Sequence, residues 1–243
     1  MHPARLYVPE IPPVGELCAL PAQAAHHLVA VLRARRGDPV VLFDGRGGEY
    51  AAELVSDDPR RALVRVKAFA PVERESPLRV VLGVGLARGE RFEWLVQKAT
   101  ELGAAEIQPL FTARCEVRLA GERLARKRAR WLQIAASACE QCGRNRLPEI
   151  HPPRPLDDFL QVVAHVRLVL APGAREGLVG QVVAGSVAVA SGPEGGFAPE
   201  ELDALVGAGF RPVGLGPRVL RAETAPIAAL AALQCLWGDG RGE

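Results

Sequence analysis

Up to Ala70 the apolar positions of this chain come in short β-type runs gathered around one helical stretch. Residues 5–8 and 16–20 read as brief extended segments split by Pro12-Pro13-Val14-Gly15, and residues 21–33 carry Leu28, Val31 and Leu32 at helical spacing. Residues 39–43 are β-formers, Asp44-Gly45-Arg46-Gly47-Gly48 supplies turn residues able to take positive φ, and residues 49–55 return as a second strand, which predicts a hairpin. Residues 61–70 set Leu63, Val64 and Val66 among Arg61, Arg65 and Lys67, predicting a small sheet or barrel with one polar face. The polar, proline-bounded stretch 71–77 then marks a boundary, and we divide the chain into 1–73 and 74–243. Beyond it, short apolar strands alternate with helical stretches through 79–86, 92–102, 106–111, 122–142, 156–164, 166–171, 186–191, 199–206, 212–215 and 224–237. This alternation predicts an α/β domain with a mostly parallel sheet.

Composition narrows the class without naming a function. With 243 residues, 49% hydrophobic and 24% charged, the chain can bury a substantial core, which argues against extended disorder or a fibrous repeat. No stretch approaches the roughly 18–20 apolar residues of a spanning helix, and the first residues lack a signal-peptide hydrophobic region, so a cytosolic location with no membrane partner is expected. The five cysteines are an odd number and widely scattered, as expected of reduced thiols. A net charge of +2 does not identify a nucleic-acid binder, since that inference needs clustering. Lys67, Lys98 and Lys127 are the only lysines. The arginine bias suits phosphate forks but follows equally from coding or temperature pressures.

Several chemistries lose support by what is missing. No lysine is followed by Ser or Thr, so there is no Walker A loop, and Gly83-Val84-Gly85 lacks the third glycine of a dinucleotide fingerprint. Cys139 and Cys142 form a single C-x-x-C with no second pair, His-Glu-x-x-His is absent, and no metal is expected. Gly-x-Ser-x-Gly is absent as well, which removes the α/β-hydrolase nucleophile elbow.

Three stretches carry more. Residues 122–146 gather Arg123, Arg126, Lys127, Arg128, Arg130, Arg144 and Arg146 against Glu122 and Glu140, a pattern that fits either a solvated helix face or a phosphate-binding surface. Ser191-Gly192-Pro193-Glu194-Gly195-Gly196-Phe197 follows an apolar strand and precedes a helix with Pro199 in its first turn, with Glu200 and Glu201 where the helix dipole favours acids. It is either a tight βα turn or a loop whose glycines admit a ligand to the backbone. Leu215-Gly216-Pro217-Arg218-Val219-Leu220-Arg221-Ala222-Glu223 follows the next strand and enters the apolar helix 224–237, where Glu223 or Thr224 serves as a cap. Two such loops in one parallel sheet would border a crevice at the carboxyl ends of the strands.

Taken in order, these segments resemble the RsmE family, the 16S ribosomal RNA uridine-N3 methyltransferases of the knotted SPOUT superfamily. The resemblance rests on Arg5-Leu6-Tyr7, His27 with Val31-Leu32-Arg33, Leu42-Phe43-Asp44-Gly45, residues 97–103 and residues 138–145, together with the two glycine-rich loops. It implies a PUA-like β-barrel for RNA binding, then a SPOUT-type α/β domain with a C-terminal trefoil knot, in a homodimer that binds S-adenosylmethionine and acts on 16S ribosomal RNA of the small subunit. The family's cofactor loops carry over to Leu170, Ala171 and Pro172, to Gly192, Pro193, Glu194, Gly195 and Gly196, and to Leu215, Gly216, Val219 and Leu220. Apolar Leu215, Val219 and Leu220 suit an adenine, and Glu194 places a carboxylate near a sulfonium. Methyl transfer to N3 also asks for removal of its proton, and from their adjacency on the second glycine-rich turn Arg221 is expected to stabilise charge on the uracil carbonyls while Glu223 orients Arg221 or takes the N3 proton. RNA contacts are expected from Arg5, Arg33, Arg123, Arg126, Arg144 and Arg146. A non-catalytic RNA-binding assembly factor and a SPOUT methyltransferase acting on another RNA are the competing readings.

Overall fold

The computed structural model describes residues 3–117, 119–181 and 185–241 and separates into two compact units. The first comprises Met1–Arg74 together with Ala136–Leu147, and the second Glu75–Ala135 with Pro148–Glu243.

In the first unit, β1 (Ala4–Tyr7), β2 (Leu17–Ala19), β3 (Pro39–Phe43), β4 (Glu49–Ser56) and β5 (Leu63–Ala70) form one sheet in the order β1-β3-β4-β5-β2. Only the β1–β3 pair is parallel. Alternation along the strands sends Leu6, Val40, Leu42, Leu54, Val64 and Val66 into one core, as the pleat requires of a half-buried sheet. The β3–β4 hairpin turns through Gly45, Gly47 and Gly48, all at positive φ, where a side chain would be strained.

The predicted helix over 21–33 divides in two: α1 (Ala22–His26) is followed by a π-helical turn, His27–Val31, in which the Leu32 N–H reaches back to the His27 carbonyl. The wider winding rotates the apolar stripe, so Leu28 stays buried while Val31 and Leu32 face outward. The turn ends at Arg33, which takes a left-handed φ of 59° with no glycine available.

Residues Ala136–Leu147 are held in this unit by a polar network around Asn145, which is fully buried. Asn145 Oδ1 accepts from Arg5 Nη2 at 2.6 Å and its Nδ2 donates to the Val72 carbonyl at 2.6 Å. Arg5 also pairs with Glu49 at 2.7 Å and lies 5.2 Å from the Phe43 ring centre. The Tyr7 N–H donates to Glu140 Oε1, and burial pushes the Glu140 carboxyl above its usual range despite that bond and the nearby His27.

The second unit runs β6 (Arg79–Gly85), α2 (Arg91–Glu101), β7 (Glu106–Phe111), α3 (Gly121–Cys142), β8 (Glu149–Ile150), β9 (Arg154–Pro155), α4 (Leu156–Phe159), β10 (Val166–Leu170), β11 (Ser186–Ser191), α5 (Pro199–Gly207), β12 (Arg211–Val213) and α6 (Thr224–Trp237), with the last turns of α3 counted in the first unit. Its sheet has the order β12-β10-β11-β6-β7-β8 with β9 also on β7, and every pairing is parallel. Both faces are covered, which is why β6 is buried at every position after Arg79. One face packs Leu82, Val84, Ile107 and Val189 under Phe92, Trp131 and Leu230, and the other packs Val81, Ala188 and Ala190 under Phe159, Leu205 and Phe210.

The predicted helix over 156–164 stops at Phe159, where β-branched Val162 and Val163 disfavour continuation and Val162 closes a tight turn onto the Phe159 carbonyl. No helix among the described residues is long and apolar enough to cross a membrane.

The buried network makes a testable demand. Asn145→Ala should lower the stability of the first unit by about 1–3 kcal/mol, because the Val72 carbonyl and Arg5 lose their partner. Tyr7 and Tyr50 both lie in this unit and all three tryptophans in the other, so tyrosine near-UV circular dichroism during urea unfolding reads it selectively. An unchanged midpoint would contradict the assignment.

Candidate active site

Chain order reverses between β6 and β11: β7 lies on one side of β6, whereas β11, β10 and β12 extend on the other. Crevices in open parallel sheets form at such points, at the carboxyl ends of the strands. Here three strand-end loops meet: Leu170, Ala171 and Pro172 after β10, residues 191–197 after β11, and residues 214–222 after β12. Together they enclose a cavity of about 420 Å³. It is walled by Leu170, Ala171, Pro172, Gly192, Pro193, Glu194, Gly195, Gly196, Leu215, Gly216, Val219 and Leu220, so every residue that the resemblance placed at the cofactor lines one space.

Main chain packs directly on main chain at two points of the wall. A Cβ added at Gly192 would stand 2.9 Å from the Gly196 carbonyl carbon and the Phe197 nitrogen, so the loop folds back on itself only because Gly192 has no side chain. A Cβ at Gly85, where β6 ends, would stand 2.5 Å from the Pro193 nitrogen. Val219 is 81% exposed at the cavity, an apolar side chain without a cover. The helix beyond is anchored by Glu201, whose carboxylate accepts from the Ala198 and Ala113 N–H groups at 2.8 and 2.7 Å.

Glu194 is the acid of this cavity. It accepts from the Arg88 N–H at 3.1 Å and from Arg91 Nη1 at 3.0 Å. Burial on its own would raise its pKa, but backbone donors and the Arg91 guanidinium outweigh that and hold the carboxyl below its ordinary 4.5. Arg91 Nε also lies 4.0 Å from Glu223 Oε1, so one guanidinium stands between the acids of two loops. The other Glu223 oxygen is buried and without a hydrogen-bond partner.

Arg221 is exposed and does not line the cavity, although its neighbours Leu220 and Ala222 do, and its carbonyl receives the first N–H groups of α6. Among the described residues the charged neighbour of Glu223 is Arg91, on the start of α2, and no ion pair with Arg221 is formed. Sequence reasoning missed Arg91 and Arg114, since nothing in their spacing marks them. Arg218, which also lines the cavity, lay within a quoted motif.

The arginines expected at RNA divide. Arg33, Arg123 and Arg126 are exposed, and Arg146 is exposed but pairs with Glu73 at 3.2 Å. Arg5 pairs with Glu49 and Asn145, and Arg144 is only 5% exposed. The Arg5 guanidinium, held by Glu49, Asn145 and the Gly143 carbonyl, ties the first unit together. On α3, Lys127 and Arg130 both pair with Glu93, and the Lys127 hydrogen bond holds the Glu93 carboxyl below its usual range against a smaller effect of burial.

Comparison with known proteins agrees with this geometry. Residues 74–234 match the model of the RNA methyltransferase domain, and residues 20–67 that of the RNA methyltransferase PUA domain. The chain is 33% identical over 226 residues to ribosomal RNA small subunit methyltransferase E of Bacillus subtilis, covering 88% of each chain. It is 35% identical over 246 residues to the protein of that name from Mycobacterium bovis, covering 95% of this chain and 90% of the other. Among solved structures, ribosomal RNA small subunit methyltransferase E from Neisseria gonorrhoeae bound to S-adenosyl methionine superposes with a TM-score of 0.89 at 36% identity, covering 98% of this chain and 99% of that one. A Legionella pneumophila protein solved with bound SAM gives a TM-score of 0.94 at 41% identity, covering 98% and 100%.

The Glu194 contacts predict an acid limit. Because its folded pKa is lowered, the stability that the ionised carboxylate contributes is complete above about pH 4.5 and is lost as pH falls through the folded value. Wild type should therefore exceed Glu194→Gln in thermal stability at neutral pH, with the gap closing toward pH 3. A gap that persisted unchanged at pH 3 would show that the charge is not responsible.

Proposed function

This chain belongs to the RsmE family of ribosomal RNA small subunit methyltransferases, and we propose that it methylates N3 of a uridine in 16S ribosomal RNA of the small subunit, using S-adenosylmethionine. The observation that carries this reading is the cavity built from three strand-end loops, whose twelve expected residues converge from distant parts of the chain. Its volume of about 420 Å³ lies within the range of about 300–1,000 Å³ common to cofactor sites. The chemistry of the wall fits the cofactor. Leu170, Leu215, Val219 and Leu220 offer an apolar enclosure for an adenine, main chain at Gly192 and Gly216 comes within reach of polar groups, and Glu194 holds a negative charge for a cation.

S-adenosylmethionine, when bound, supplies an electrophilic methyl group. The chain's own residues have three tasks: to exclude water from the cavity, to orient the acceptor nitrogen, and to receive its proton. Glu223 suits the last, because its buried oxygen has an unused lone pair while Arg91 steadies the other oxygen. Arg221, exposed two residues before Glu223, stabilises charge on the uracil carbonyls as N3 loses its proton. The target base has to leave its stack to enter, and Arg33, Arg123 and Arg126 are among the solvent-facing cations that could hold RNA around it.

In the same reading, residues 1–73 serve as the RNA-binding domain and 74–243 as the methyltransferase domain, in a cytoplasmic homodimer whose interface includes α6. The family's trefoil knot belongs with it. It is supported by the tight crossing in which the Gly214 N–H donates to the Glu176 carbonyl and a Cβ at Gly214 would stand 2.9 Å from the Ala174 oxygen.

Incubation of the protein with labelled S-adenosylmethionine and small subunits lacking the modification, followed by nucleoside analysis, should yield N3-methyluridine. Cofactor binding without transfer would redirect the activity to another RNA, and neither would leave an RNA-binding factor. Gly192→Ala should weaken cofactor affinity by at least tenfold, about 1.4 kcal/mol, because the loop cannot keep its shape. Arg221→Ala should lower kcat by roughly 10²–10³ with cofactor affinity retained. A wild-type rate at saturating substrates would remove Arg221 from the mechanism.

A further inference from the structure

A second cavity, of about 800 Å³, lies beside the first and shares Arg114, Glu194 and Gly195 with it. It opens at the carboxyl ends of β6 and β7, between Arg88, Glu90 and Arg91 on one side and Arg114 and Glu116 on the other. A group-transfer enzyme needs the reacting atoms of its two substrates about 3–3.5 Å apart, which calls for adjoining sites, and these two cavities adjoin at Arg114, Glu194 and Gly195.

The charges of the second cavity are not equivalent. Glu194 is taken by Arg91 and by the Arg88 N–H. Glu116 pairs with Arg88 on open surface, where the two side chains are 58% and 69% exposed, so an incoming anion can replace it at little cost. Arg114 is different. Its Nη1 donates to the Gly195 carbonyl at 2.9 Å, and no carboxylate pairs with it among the described residues. Its stem lies against Gly195, where an added Cβ would come within 3.2 Å of the Arg114 Cβ, so the guanidinium is stationed where the two cavities join. A planar fork of donors with its charge uncompensated, beside a second arginine held by an exchangeable partner, is the chemistry that recognises a phosphodiester.

We infer that the second cavity receives the acceptor nucleotide of the RNA, and that Arg114, with Arg88, binds the phosphates flanking the exposed base. The inference rests on the reading of this chain as an S-adenosylmethionine-dependent RNA methyltransferase, and it adds an RNA site on the strand-end loops of the second unit. Arg91 is not assigned to phosphate, since Glu194 and Glu223 already engage it.

The test is the binding of unmodified small ribosomal subunits to wild type, Arg114→Ala, Arg114→Lys and Arg88→Ala across a potassium chloride series, with S-adenosylhomocysteine affinity measured in parallel by calorimetry. Arg114→Ala should weaken subunit binding roughly tenfold and flatten the plot of log K against log salt by about 0.7, the slope of one single-strand phosphate contact. Arg114→Lys should restore the slope. Arg88→Ala, whose side chain lines only the second cavity, should likewise weaken subunit binding and flatten the slope while its affinity for S-adenosylhomocysteine stays within about twofold of wild type. Unchanged subunit affinity and slope in both Arg114→Ala and Arg88→Ala would overturn the assignment, as would a loss of S-adenosylhomocysteine binding in Arg88→Ala equal to its loss of subunit binding. Wild-type protein that bound no subunit would overturn the methyltransferase reading, and this inference with it.

Discussion

Backbone lies directly on backbone where the strands of the second unit end, and the site depends on that approach. At Gly192 the loop after β11 turns back on Gly196 and Phe197, and at Gly85 the end of β6 passes beneath Pro193, each with no space for a Cβ. Because side chains are excluded there, the cavity wall presents peptide dipoles and a few chosen groups. The parallel sheet makes this possible by bringing β10, β11 and β12 to the same edge with their carboxyl ends together.

Charge is arranged around that scaffold in two shells of different purpose. Arg91 stands between Glu194 and Glu223 and so ties the acids of two separate loops to the start of α2. Another arginine is consumed in the interior: Arg5 belongs to the polar core of the first unit, with Asn145 and Glu49, and Arg144 is buried nearby in sequence. The net charge of +2 conceals this division, since some cations are paired with carboxylates while others, Arg33, Arg114, Arg123 and Arg126 among them, face solvent.

Periodicity made the fold legible. Runs of β-branched residues marked the strands, and two glycine-rich loops stood at their ends, so the parallel sheet and two of the converging loops were readable from the order of residues, while the third, at Leu170-Ala171-Pro172, followed only from the family resemblance. What stayed hidden depended on tertiary contact. The π-helical turn that exposes Val31 and Leu32 has the same apolar spacing as a regular helix, and only its winding differs. Asn145 looked like a surface group at a helix end, because its burial depends on Arg5 and Val72, far away in sequence. Arg91 and Arg114 carry no motif and acquire a role only when β6 and β7 bring them beside the loop of residues 192–196.

On the proposed mechanism the cavity between the three strand-end loops takes the cofactor, with its reactive end toward the second cavity. A crystal structure of the protein with S-adenosylhomocysteine tests it most directly. The account predicts density enclosed by Leu170, Gly192, Leu215 and Leu220, with the sulfur on the side shared by Glu194, Gly195 and Arg114. Density elsewhere on the chain, or a sulfur turned away from that shared wall, would contradict it.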